Sequence, residues 1–310
     1  MKVELTNPHL LSISDLSTKE VLALFDRSRE LKAATPITSL LGKSVGLLFE
    51  KPSLRTRVSF EVAIHQLSGN AIYLGQNEVG LGTREPIADI SLLLSRLVDA
   101  VACRTYSHAN LEELAKHSSI PIINALSDKE HPTQALADLL TIQEHFGRLH
   151  GIIIAYIGDG NNVANSLVQG SASVGASFRM ASPPGYGLTG DILDAASKLA
   201  NSTGSQLINS RSPIEAVSNA DVVYTDVWTS MGQENETAAR RKDFSEFQVT
   251  HELLKHAKSD AIFMHPMPAH YGEEVPDNFL EHPQSVTYDQ AANKLYVLKA
   301  LLEAMIETHG

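Results

Sequence analysis

Val45-Gly46-Leu47-Leu48-Phe49-Glu50-Lys51-Pro52-Ser53-Leu54-Arg55-Thr56-Arg57 passes from an unbroken apolar run into a loop carrying two guanidinium groups and two hydroxyls. The apolar run reads as a strand buried on both faces. From Val58 to Leu67 apolar and polar residues return at helical spacing, so the loop becomes the start of a helix. Backbone N–H groups at a helix start are unpaired and partly positive, which favours an anion. Arginine adds a planar fork of donors that matches phosphate oxygens. The stretch therefore reads as a clamp for a phosphate-bearing ligand or, more plainly, as a solvated basic helix start.

The same alternation runs outward in both directions. Strands are expected at 45–49, 70–74, 99–103, 120–124, 151–157, 177–181, 205–208, 221–225 and 260–264. Helices are expected at about 15–33, 55–68, 86–97, 109–117, 132–147, 161–174, 189–202 and 212–218. Apolar strands separated by helices make parallel sheets with right-handed crossovers. The fold class is α/β, as two doubly wound parallel-sheet domains with helices on both faces. Gly147-Arg148-Leu149-His150-Gly151 interrupts the pattern, so residues 1–147 form one domain and 148–288 the next. The apolar helix expected over 289–310 has no following strand and packs back on the first domain. Thr225 to Thr250 is polar and without a strand, which marks a functional or flexible loop.

Composition narrows the class. The chain has 310 residues, 43% hydrophobic and 20% charged, which suits two globular domains rather than disorder. Lys plus Arg is 25 against 36 Asp plus Glu, a net charge of −11, so neither a nucleic-acid nor an anionic-membrane surface is expected. An arginine-rich strand end in an acidic chain is a local exception that suits an anion site. Cys103 is the sole cysteine, which excludes an internal disulfide and disfavours a thiolate metal site; its apolar neighbours suggest a buried thiol. No apolar run reaches the ~20 residues of a membrane helix. The N-terminus lacks the features of a signal or transit peptide, so a cytoplasmic protein is expected.

Ligands of doubly wound sheets bind at the carboxyl ends of strands. After 99–103 comes Arg104-Thr105-Tyr106, and after 120–124 His131-Pro132-Thr133-Gln134 opens a helix. After 151–157 come Gly158-Asp159-Gly160-Asn161-Asn162, after 221–225 comes Asp226, and after 260–264 comes His265-Pro266-Met267-Pro268. Each has a plainer reading: Arg104 as a surface arginine, His131 and Asp226 as caps. Gly158 and Gly160 are followed by Val163 where a dinucleotide fingerprint has its third glycine, so a nucleotide role is weak. His265 and His270 have no third ligand at metal-like spacing, and neither metal nor cofactor is expected.

Ser53-Leu54-Arg55-Thr56-Arg57, His131-Pro132-Thr133-Gln134 and His265-Pro266-Met267-Pro268 resemble the carbamoyl phosphate motifs of the aspartate and ornithine carbamoyltransferases. Asp226-Val227-Trp228-Thr229-Ser230-Met231-Gly232, with Asn162 before it, resembles the ornithine signature and not the aspartate one. Order and spacing match over nearly the whole chain. The resemblance implies that Ser53, Arg55, Thr56 and the Leu54 backbone bind phosphate, and that Lys294 joins the carbamoyl phosphate site. It implies that Arg104 bridges phosphate and carbonyl oxygen, and that His131 and Thr56 polarise the carbonyl. Gln134 and the carbonyls of Pro266 and Met267 accept from the carbamoyl NH2. Asp226 orients the amine of ornithine, and Asn162, Ser230 and Met231 grip its amino-acid end. Arg55, Arg104, His131 and Asp226 are the catalytic set. The implied reaction gives citrulline and phosphate, in a homotrimer or a multiple of trimers.

Four departures from the family pattern stand out. Leu54 replaces Thr, and Gly80 stands where Gln or His reaches a neighbouring subunit, with Arg84 as a possible substitute. Lys294 replaces Arg, and Pro266 replaces the Cys of the ornithine enzymes. These keep open a carbamoyltransferase for another amine, or a weakly active or non-catalytic paralogue that binds carbamoyl phosphate.

Overall fold

The computed structural model describes residues 2–33, 37–230 and 232–309. Packing divides the chain into one unit of Met1–Ala137 with Ala292–Gly310, and a second of Asp138–Ala291. Each is built around one parallel sheet, four strands in the first and five in the second.

In chain order the elements of the first part are α1 (Thr18–Ala33), β1 (Ser44–Phe49), α2 (Leu54–Gln66), β2 (Asn70–Gly75), α3 (Gln76–Val79), α4 (Ile87–Leu94), β3 (Ala100–Arg104), α5 (His108–His117), β4 (Ile122–Leu126) and α6 (Pro132–Phe146). The sheet order is β2-β1-β3-β4, with Phe49 registered against Arg104. Val45, Leu47, Leu48 and Phe49 are buried, as an apolar strand between two helical layers requires. β2, at the sheet edge, alternates between exposed and half-buried positions over its first half. Strand order reverses between β1 and β3, so the residues just past their ends line the crevice where such sheets take ligands.

The second part runs β5 (Ile153–Ile157), α7 (Asn162–Ser173), β6 (Ser177–Ala181), α8 (Gly190–Thr203), β7 (Leu207–Ser210), α9 (Pro213–Val217), β8 (Val222–Thr225), α10 (Thr237–Asp243), α11 (His251–Leu254), β9 (Ile262–Met264) and α12 (Thr287–His309). Its order is β7-β6-β5-β8-β9, with Ile157 beside Thr225 and the reversal between β5 and β8. Tyr156 and Tyr224 stack on these two central strands with centroids 5.5 Å apart.

Two features differ from expectation. The polar stretch after Thr225 is not all loop: a short 3-10 turn leads into α10, where Glu236 pairs with Arg240 at 2.8 Å one helical turn away. The packing division falls inside α6, not in the glycine-flanked link at 147–151. Asp138 is the reason, since its carboxylate accepts from Tyr224 Oη at 2.9 Å and Gln290 Nε2 at 2.7 Å in the second unit. From Ala292 onward α12 belongs to the first unit, where Val297, Leu298, Leu301, Leu302 and Met305 are buried. There Arg27 of α1 makes a forked pair with Glu303 at 2.5 and 2.9 Å, and Lys299 Nζ donates to the Leu31 carbonyl at 3.0 Å. Among the described residues no helix is long and apolar enough to cross a membrane.

Candidate active site

In the first unit β1 ends at Phe49 and α2 begins at Leu54, with Ser53 in extended backbone at the N-cap. The Ser53 hydroxyl makes no capping bond, and no acidic residue sits in the first turn of α2. A helix start without a side-chain cap or an acidic first turn is suited to an anion. Leu54 points to solvent, 74% exposed, and can contribute only its backbone. The two arginines of this loop have different fates. Arg57 pairs with Glu61 at 2.8 Å and covers the Tyr73 ring at 3.7 Å, a structural use on the helix flank. Arg55 is half-buried and lies near enough to Arg104 for its charge to be felt there. Burial, aided by Arg55, pushes the Arg104 guanidinium down to about 10. Arg55 in the first turn of α2 and Arg104 at the end of β3 disfavour each other's charge, an environment suited to a multiply charged anion.

The N-terminus of α6 brings buried His131 and Gln134 beside Lys294 of α12 and Thr56 of α2. Lys294 Nζ lies 3.1 Å from Thr56 Oγ1, 3.3 Å from His131 Nε2 and 3.1 Å from Gln134 Oε1. Burial, followed by the charges of Lys294 and Arg104, holds His131 well below its ordinary pKa, so the imidazole is neutral. After β3, Thr105 Oγ1 donates to the Glu50 carboxylate, and the Tyr106 N–H donates to the same oxygen at 3.1 Å. These bonds tie the β1 and β3 ends together.

The second unit places a carboxylate at its own switch point. Asp226 follows β8 and is buried; its Oδ2 accepts from Asn161 Nδ2 and its Oδ1 from the Val227 N–H, both at 2.8 Å. Burial raises its pKa first of all, and the charge of Glu274 adds to the rise. The hydrogen bonds and the proximity of His265 oppose it. Asn161 also caps α7, accepting from Val163 and Ala164 N–H at 3.0 and 3.1 Å. Asn162 is the first residue of that helix. Arg240 ties the loop after β8 to the β5 end, bonding Asp159 Oδ2 and the Trp228 carbonyl, each at 2.9 Å. Past β9, His265 Nδ1 accepts from Met267 N–H at 2.8 Å, which shapes the turn carrying the Pro266 and Met267 carbonyls. Its Nε2 meets Glu274 Oε1 at 3.1 Å.

Residues 8–144 match the family model of the aspartate/ornithine carbamoyltransferase carbamoyl-P binding domain, and residues 150–305 match the Asp/Orn binding domain of the same family. The chain belongs to the aspartate/ornithine carbamoyltransferases. It is 48% identical over 298 residues to the ornithine carbamoyltransferase of Caldicellulosiruptor saccharolyticus, covering 95% of this chain and 97% of that protein. The anabolic ornithine carbamoyltransferase of Pyrococcus furiosus is 45% identical over 306 residues, covering 97% of both. A solved structure of the Pyrococcus furiosus ornithine carbamoyltransferase superposes with a TM-score of 0.93 at 44% identity, covering 97% of each chain.

Within this carbamoyltransferase framework, Ser53, Arg55, Thr56, Arg104, His131, Gln134 and Lys294 all lie in the first unit, and Asn162, Asp226, Ser230, Pro266 and Met267 in the second. Met231 lies outside the described residues. Gly80 is the left-handed cap of α3 with φ 55°, and Arg84 Nη1 donates to the Glu78 carbonyl at 2.9 Å. Asn161 was quoted in the strand-end stretch without a role of its own, although an Asn placed to cap a helix is a signal; Arg240 and Glu274 were not named in the sequence, because they depend on packing between distant segments. Around His270, Glu273 and Glu274 place side-chain oxygens within 4.8 Å of its ring nitrogen and of one another. Glu273 there pairs with Arg241 at 2.6 Å, and Glu274 accepts from the His270 N–H at 2.6 Å.

Proposed function

We propose that the protein transfers the carbamoyl group of carbamoyl phosphate to the side-chain amine of L-ornithine, giving L-citrulline and phosphate for arginine biosynthesis. The observation that carries this choice is buried Asp226 at the β5/β8 switch point. A dry carboxylate attracts an alkyl ammonium and repels the side-chain carboxylate that an aspartate-specific enzyme must hold. The naming of the relatives as ornithine carbamoyltransferases supports the same choice.

In the first unit, Ser53, Arg55, Arg104 and the Leu54 backbone hold the phosphate, and Thr56, His131, Gln134 and Lys294 address the carbamoyl group. The carbonyls of Pro266 and Met267 remain assigned to the carbamoyl NH2. Asn162, Ser230 and Met231 hold the amino-acid end of ornithine. The ornithine ammonium first gives one proton to solvent; its nitrogen then bonds to the carbamoyl carbon, and the C–O bond to phosphate breaks with the electron pair leaving on phosphate, which takes the second proton shed by that nitrogen. Fixed donors facing the carbonyl oxygen stabilise the charge that develops there. Orientation of both substrates removes the entropic cost of their encounter. A cytoplasmic homotrimer, or a multiple of trimers, completes the reading; light scattering on the purified protein measures the assembly.

The test supplies carbamoyl phosphate with ornithine, lysine, putrescine, aspartate or N-acetylornithine and follows phosphate release. Citrulline formed from ornithine in preference to the others is the expected result. Preference for another amine transfers the assignment to that substrate. Asp226→Asn is expected to raise the ornithine KM and lower kcat by about 100-fold or more while leaving carbamoyl phosphate binding nearly intact. Loss of carbamoyl phosphate binding in that variant refutes the division of roles.

A further inference from the structure

The turn between β9 and α12 gathers three side chains of metal-ligating type within the second unit. Glu273 N–H donates to the His270 carbonyl at 2.9 Å and Gly272 N–H to the Val275 carbonyl at 2.8 Å, with Gly272 at φ 85°. The segment after α10 holds the turn from outside. There Val249 N–H donates to the Glu274 carbonyl at 2.9 Å and Gln248 Nε2 to the Glu273 carbonyl at 2.7 Å. A ring nitrogen of His270 and one oxygen each from Glu273 and Glu274 thereby come within 4.8 Å of one another. Among the described residues no other group of three histidine, cysteine or acidic side chains does so.

Acidic side chains often cluster without a ligand; the oxygens of this group are what distinguish it. Glu274 is fully buried. Its Oε1 accepts from the His270 N–H at 2.6 Å and lies 3.1 Å from His265 Nε2. Because Met267 N–H donates to His265 Nδ1 at 2.8 Å, the ring proton sits on Nε2 and is given to that Oε1. Glu274 Oε2 is buried as well and meets no donor among the described residues. Glu273 repeats the division: its Oε1 holds Arg241 at 2.6 Å, and its Oε2 is buried without a donor. Buried carboxylate oxygens are as a rule hydrogen-bonded or bound to a metal. Two consecutive residues here each present one that is neither, and exposed His270 adds a nitrogen reachable from solvent.

We propose that His270, Glu273 and Glu274 bind a divalent cation of the zinc class, at a site that the carbamoyl-transfer reading does not use. An imidazole nitrogen beside two carboxylates suits zinc better than calcium or magnesium, which favour oxygen alone. Bonds of about 2.0–2.2 Å set ligand atoms no more than about 4 Å apart, so a small turn of the His270 ring completes the set. Water fills the remaining position. His265 is then the outer partner that orients a ligating carboxylate, as such partners do at metal centres. The ion answers the charge of two adjacent carboxylates, of which Arg241 compensates only one. It also pins the turn, since His270, Glu273 and Glu274 all lie between Met267 and α12.

The test uses the full-length protein, stripped with a chelator and titrated with zinc chloride. One tight ion per chain is expected, with an unfolding temperature that rises as zinc is added. His270→Ala alters an exposed position, and Glu273→Gln keeps an oxygen for Arg241, so both variants should fold. Each should lose the rise and bind zinc at least about 10- to 100-fold more weakly, the range that loss of an outer partner alone produces. Equal zinc affinity in the wild type and both variants places the ion elsewhere and overturns the proposal. An unfolding temperature of the wild type that zinc does not raise overturns it too.

Discussion

The role proposed for Asp226 is to receive a cationic amine where water is excluded, and that exclusion acts on its own ionisation. Burial raises its pKa and Glu274 raises it further, so the acid limb of kcat/KM for ornithine should lie above the ordinary aspartate range. Glu274→Gln removes the repelling charge but keeps an oxygen for His265 Nε2 and the His270 N–H. The acid limb should therefore move to lower pH, and an unmoved limb in the pH–rate profile would show that Glu274 does not act on Asp226. Cys103 is the opposite case, a titratable group sealed away from use. It is wholly buried on β3, and burial, with Glu50 nearby, pushes its thiol up. The folded protein should not react with a thiol-specific chromogen, and one equivalent should react after denaturation.

Among the elements, the turn from β5 into α7 combines the tightest packing with a perturbed charge. A Cβ on Gly160 would lie 2.5 Å from the Gly187 carbonyl carbon and 2.7 Å from Leu188 N, both backbone atoms that cannot rotate aside. Gly160→Ala should cost about 2 kcal/mol or more, read from urea denaturation. The Gly158-Asp159-Gly160 pattern thus has a packing cause, which the missing third glycine only hinted at. Between these glycines, burial pushes Asp159 up to about 6, against the pull of Arg240. The folded state then holds this proton to higher pH than the unfolded chain does, so Asp159 makes stability fall as pH rises from about 4 to about 6. Asp159→Asn lacks this dependence. The stability difference, wild type minus variant, should decline on the order of 3 kcal/mol between pH 4 and pH 7. Arg240 itself was invisible in the sequence because α10 is seven residues long and polar, too short to show a periodic face. α3 and α11, four residues each, escaped for the same reason.

At the scale of the whole molecule, the alternation of apolar runs and amphipathic helices was enough to read two parallel sheets, because buried parallel strands leave a continuous apolar signal that polar edges do not blur. The Ser53–Arg57 loop and Asp226 were legible as candidate site residues because local sequence places them at strand ends. The convergence of Lys294 with His131 was not, since 163 positions separate them and only the packing of α12 brings them together. That packing also makes the first unit discontinuous, with β1–β4 near one end of the chain and the helical segment from Ala292 at the other. A chain ending at Ala291 should leave the residues preceding Ala137 open to limited proteolysis, since Val297, Leu298, Leu301 and Leu302 would be absent from their core. The part of the first unit that precedes the second is therefore complete only once the segment from Ala292 has been made, while the intervening unit has every residue it needs sooner. A stop that removes the segment after Ala291 would thus injure residues that lie on the far side of the intervening unit in the sequence.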